Sequence, residues 1–141
     1  MRKFKKIINF LMKLNLLKTF RYSSFLNSTK LVLFYNKNTI KIHRTANIIV
    51  NKGNLHFFSS RYREPFVSML EMQQKARIIA NGTFVIYSGG HIIVAENATL
   101  ELGNNSYVNR HCRIKVYQHL TIGDNCAISE NVTIWDSDVH E

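Results

Sequence analysis

The chain has 141 residues, 45% hydrophobic and 11% aromatic, with one proline and six glycines. That composition excludes disordered, collagen-like and low-complexity chains and leaves room for one domain plus a tail. The formal net charge of +10 sits in one half: residues 1–63 hold fourteen Lys and Arg and no acid, while residues 64–141 hold five basic and nine acidic residues.

A basic half of this kind meets an anionic surface such as lipid, nucleic acid or an anionic polymer. No run of about twenty apolar residues is present, so no segment reads as bilayer-spanning. The N-terminal basic run leads into an apolar stretch interrupted by Lys13 and Lys18, with no small-residue cleavage site after it, and is a poor secretion signal. Cys112 and Cys126 read as packed free thiols in a reducing compartment. The expected location is cytoplasmic, with membrane association through the N-terminus as an addition.

In chain order, residues 1–30 form a basic amphipathic helical segment. Within residues 2–22, Phe4, Ile7, Ile8, Leu11, Leu14 and Leu17 recur at three- and four-residue spacing, with Lys3, Lys6, Lys13 and Arg21 elsewhere around the helix. Two roles fit that apolar face equally: contact with an anionic membrane, or packing against the chain's own domain or a neighbouring subunit. Residues 31–77 read as an irregular β cap. Ile42 and Ile48 stand six apart, Asn51–Asn54 is a turn, and Arg61–Phe66 mixes charge, aromatics and the single proline.

Residues 78–141 carry the organising pattern. Aliphatic residues recur every six positions at Ile122, Ile128 and Ile134, and a second column stands at Cys126, Val132 and Asp138. A helix repeats at three and four, and a strand at two. A period of six with a small or polar residue in the fifth place is the hexapeptide signature of a parallel β-helix. Leu102, Val108 and Ile114 form an earlier triplet exactly one circuit of twenty back from Ile122, Ile128 and Ile134. Three sides of six plus a two-residue corner give that number. Ile86 and Ile92 suggest one more circuit, with a blurred register through residues 78–100. The fold class is therefore all-β, with an N-terminal amphipathic α-helix.

After the last strand, Asp136, Asp138 and His140 alternate and share a face of an extended segment. Three readings stand. An imidazole can serve as a general base near neutral pH, with a carboxylate holding its tautomer. The trio could bind a divalent metal, although nothing completes the four-ligand set of a structural zinc site, so no metal is expected. Or the three are polar residues on a solvated edge.

Asn105-Ser106-Tyr107-Val108-Asn109, Leu120-Thr121-Ile122-Gly123-Asp124-Asn125, Ile128-Ser129-Glu130-Asn131-Val132-Thr133-Ile134 and His140 together closely resemble the hexapeptide-repeat O-acetyltransferases of the sugar and capsular polysaccharide type. The resemblance covers roughly residues 78–141. It implies a left-handed parallel β-helix, a homotrimer with active sites between subunits, and direct acetyl transfer from acetyl-CoA to a sugar hydroxyl. It casts His140 as the general base and Asn109 as an acceptor-binding residue.

The sequence departs from the family at three places. Tyr117 occupies the place of an acceptor-binding carboxylate, which points to a different acceptor. The segment before His140 is one residue longer, and its Asp136 and Asp138 are candidates to orient the imidazole or touch the acceptor. The repeats stop just after His140, where family members run on through coils that hold the CoA arm, so those residues are expected C-terminal to Glu141.

The resulting expectation is an acetyl-CoA-dependent acyltransferase acting in cell-surface polysaccharide synthesis. The alternative is a non-catalytic β-helix module for trimerisation or membrane docking. Nucleic acid is not an expected partner, because no binding motif accompanies the basic half.

Overall fold

A computed structural model describes residues 2–24, 31–35, 38–60 and 64–138. Two helices, α1 (Arg2–Lys13) and α2 (Leu16–Ser24), precede fourteen strands. The strands are β1 (Val32–Phe34), β2 (Asn38–Ile42), β3 (Asn47–Val50), β4 (Leu55–Ser59), β5 (Ser68–Met72), β6 (Arg77–Ala80) and β7 (Phe84–Tyr87). They continue as β8 (His91–Val94), β9 (Thr99–Leu102), β10 (Ser106–Val108), β11 (Arg113–Val116), β12 (His119–Ile122), β13 (Ala127–Ile128) and β14 (Thr133–Trp135).

The helical segment is not the single helix its hydrophobic spacing predicts. Asn15 splits it: its side-chain oxygen accepts the N–H of Lys18 at 3.1 Å, and its own N–H donates to the Phe34 carbonyl at 2.7 Å. Asn is poor inside a helix and strong at its N-cap, so the chain restarts there. Leu14, just before the break, is buried with Leu33 and Tyr35. The buried Thr19 hydroxyl accepts the Phe34 N–H at 3.1 Å, which fastens α2 to β1.

The strands fall into three sheets, and every pairing between strands is parallel. The first sheet has the order β1-β4-β7-β10-β13, the second β14-β11-β8-β5-β2 and the third β12-β9-β6-β3. Successive strands thus visit the three sheets in rotation, and each pairs with the strand three places along.

The hexads pair in register. Val108 lies opposite Ile128, Ile114 opposite Ile134 and Leu102 opposite Ile122. In the second sheet one inward column runs Ile40, Leu70, Ile92, Ile114, Ile134. Most of these side chains are fully buried and belong to one continuous core. Backbone N–H groups at the corners reach the next circuit, as in Arg77 to Ala98, Thr99 to Gln118 and Gly103 to Ile122. The backbone of each corner is thereby satisfied by its neighbour in the stack.

The blurred register between residues 78 and 100 has a plain cause. From second to third sheet the earlier circuits turn through four residues, Gln73–Ala76 and Ala95–Ala98, whereas the last described one uses only Tyr117 and Gln118. Ile92 to Ile114 is therefore twenty-two residues and Ile114 to Ile134 twenty. The same three sheets run back to residue 32. There Phe34, Phe57 and Phe84 join aliphatics such as Val32 and Leu55 at inward positions, with Phe34 and Phe57 stacked at 5.1 Å. A bulge at Phe58, which has φ of 63°, turns two consecutive aromatics inward.

Candidate functional site

Two regions bear on function, one at each end of the second sheet. The trailing end, where the chain turns toward the third sheet, carries Tyr117, Asp136 and Asp138. Asp136 follows β14, and its two carboxylate oxygens accept the N–H groups of Tyr117 and Gln118, each at 2.7 Å. In the four-residue corners the first N–H donates to a carbonyl of the following strand, Gln73 to Val94 and Ala95 to Val116; at Tyr117 the Asp136 carboxylate takes that place. Burial pushes the Asp136 carboxyl up, but the N–H groups of Tyr117, Gln118 and His119 outweigh it and hold the group below the usual carboxylate range.

The Tyr117 side chain and Asp138 are exposed. Beside them the Lys115 ammonium sits 5.0 Å from the centre of the Trp135 ring. His140 lies outside the described residues.

Asn109 directly follows β10 of the first sheet, at the corner where the chain turns toward the second. Its side-chain oxygen accepts the Arg110 N–H at 2.9 Å, and its own N–H donates to the Ile128 carbonyl. Asn109, directly after β10, and the pair Tyr117–Asp136, after β11 and β14, thus stand at the corners on either side of β11.

Next to Asn109 a cleft of about 660 Å³ opens between Pro65–Val67 and the outer face of the second sheet. His91, His111, Arg113, Asn131 and Thr133 line it. His91, Arg113 and Thr133 are consecutive rungs of one outward column. The His111 ring meets the edge of Phe66 at 4.3 Å between centroids. A charge network fixes the cleft wall: Arg110 pairs with Glu64 at 2.9 Å and with Glu130 at 3.3 Å, and Glu64 also accepts from the Ser88 hydroxyl. Both carboxylates raise the guanidinium's already high pKa, Glu64 the more strongly.

Two imidazoles, a guanidinium and a hydroxyl, with no carboxylate among the described residues of the lining, offer hydrogen bonds to an oxygen-rich or anionic ligand. The sequence reading did not single these residues out. The available signal was positional, since His91, Arg113 and Thr133 each directly precede the inward aliphatic of their hexad.

Cys112 is buried and Cys126 half-buried; both are free thiols at different corners. Burial raises the Cys112 thiol. Among the described residues, no group of three or more His, Cys, Asp or Glu side chains is arranged to hold a metal ion. No family model matches the chain, and neither curated proteins nor solved structures include a significant match.

Proposed function

We propose that the three rotating sheets form a left-handed parallel β-helix and that the protein is an O-acetyltransferase. It moves acetyl from acetyl-CoA to a sugar hydroxyl of a capsular or cell-surface polysaccharide precursor. The observation that carries this reading is the register Leu102–Ile122, Val108–Ile128 and Ile114–Ile134. The hexads that resemble the acetyltransferases are also the units that stack, and the residues leading to His140 directly follow the last of them.

In this reading His140 removes the proton as the acceptor hydroxyl attacks the thioester carbonyl. The C–S bond breaks, and the leaving CoA sulfur receives the proton. A hydroxyl is a poor nucleophile until a base takes its proton in the transition state, and holding the two substrates together supplies much of the remaining acceleration. Asn109 and the adjacent basic cleft hold the acceptor. Arg113 with His91 and His111 favours an acceptor carrying a carboxylate or phosphate. Active sites between subunits of a homotrimer suit the separation of Asn109 from the Asp136 corner, because a neighbouring copy can bring the two ends together. A cytoplasmic location follows from the donor and agrees with two free thiols.

The test is release of CoA thiol from acetyl-CoA in the presence of neutral and acidic sugar acceptors. The reading expects acceptor-dependent release that His140→Ala reduces by at least about a hundredfold with unchanged circular dichroism. Undiminished transfer by His140→Ala removes the imidazole from the mechanism.

A further inference from the structure

We propose that α1 and α2 form an interfacial anchor that seats the protein on an anionic lipid bilayer. Around α1, Phe4, Ile7, Ile8, Phe10, Leu11 and Met12 fall within an arc of about 200° at 100° per residue, interrupted only by Lys3 near one edge, with Lys5, Lys6, Asn9 and Lys13 opposite. An arc that wide on a helix fastened to a folded body is expected to be covered. It is not: Phe4 and Met12 are each 68% exposed, and in α2 Leu17 is 86% and Phe20 70% exposed. Contact with the body includes Leu14, Asn15, Thr19, the Lys18 ammonium donating to the Asn38 carbonyl at 3.1 Å, and the edge of Phe10 on Tyr35 at 6.4 Å.

Charge decides the occupant. The two helices carry seven Lys and Arg and no acid, and the acid-free stretch continues to residue 63. Pairing two copies through this face would bury Lys3 of each copy in the seam and gather fourteen cationic side chains from the paired helices, with no carboxylate in residues 1–63 to neutralise them. Anionic headgroups supply that charge, and acyl chains cover the apolar arc, which is the arrangement of a helix lying in the bilayer interface. The helix lies on the bilayer and does not cross it: α1 has twelve residues, about 18 Å at 1.5 Å per residue, against a hydrocarbon core of about 30 Å.

The anchor also orients the stack. α2 is fastened to β1, the terminal strand of its sheet, so the first circuit faces the lipid. β14 is four strand spacings from β2, about 20 Å further out.

The experiment is co-sedimentation of the full chain with phosphatidylcholine vesicles, with and without phosphatidylglycerol. Two variants change only exposed side chains, Phe4→Ser/Leu17→Ser and Lys5→Glu/Lys6→Glu. Binding to the anionic vesicles is expected to be at least about tenfold tighter than to neutral ones, to weaken with salt, and to fall about tenfold in either variant. Leu17→Trp in a Trp135→Phe background is expected to shift its fluorescence to the blue on anionic vesicles only. Absence of vesicle binding, or binding that neither variant alters, overturns the proposal. So does vesicle binding at background with a variant-induced drop in oligomeric mass by light scattering, which would assign the face to a second copy.

Discussion

The imidazole of His111 lies across the backbone of Gly89, so close that a Cβ placed on Gly89 would stand 2.4 Å from Nδ1. Both residues occupy the corner between first and second sheets, and both are left-handed, with φ of 76° and 57°. Asn131 takes the same conformation one circuit later, with φ of 61°. Gly89 is thus required twice, for its φ and for the ring above it. Gly89→Ala is expected to cost about 1–2 kcal/mol through the backbone alone and more through the ring. Adding His111→Ala should return only the second part. Chemical denaturation of the two singles and the double reads the coupling.

Asp136→Ala strips the partner from the Tyr117 and Gln118 amides. The expected loss is roughly 1–3 kcal/mol, smaller for Asp136→Asn, which keeps one acceptor. Hydrogen exchange should speed up at those two amides first. Because the folded carboxyl is depressed, its contribution is full above the ordinary carboxylate pKa and fades as the pH falls below about 3.8.

His56 shifts in the same direction for a different reason. Burial lowers its pKa, and the Tyr35 hydroxyl is 3.3 Å from its Nδ1. The unfolded chain therefore takes up the proton more readily than the folded one. Stability is full above about 6.5 and falls as the pH drops through that value toward the depressed folded pKa. Thermal melts between pH 7.5 and 5 should show this slope, and His56→Leu should flatten it.

The core column sets a gradient. Ile114 is fully buried between Ile92 and Ile134, while Ile134 on the last described strand of that sheet is half-buried. Ile114→Ala is expected to cost about 2–5 kcal/mol and Ile134→Ala distinctly less, by urea denaturation.

The sequence made the circuits legible where nothing interrupts them. From Leu102 to Ile134 the spacing is six except for one step of eight from Ile114 to Ile122, and the strands pair as that spacing requires. Upstream, the four-residue corners at Gln73–Ala76 and Ala95–Ala98 add two residues per circuit, and the long stretch between Ser59 and Ser68 hides the phase. The inward phenylalanines and the bulge at Phe58 disguise the pattern further. Asn15 escaped notice because the apolar spacing continues through it, although the residue type is that of a cap. At the candidate site, the alternation of Asp136 and Asp138 was visible, but the backbone partner of Asp136 was not. That partner lies nineteen residues back and depends on a corner shortened by two. The basic cleft was missed for a similar reason, since His91, Arg113 and Thr133 meet only once circuits of unequal length are stacked.

The shared active site is tested most directly by mixing two inactive variants. Asn109 and the segment leading to His140 stand at the corners on either side of the second sheet's strands, and the proposed site takes one from each of two copies. Asn109→Ala and His140→Ala proteins should each lose acetyl transfer alone. Co-expressed, they should regain activity at roughly one interface in four, those that draw an intact residue from each copy. A mixture as inactive as its components, or an Asn109→Ala protein that retains full activity alone, would contradict the shared cleft.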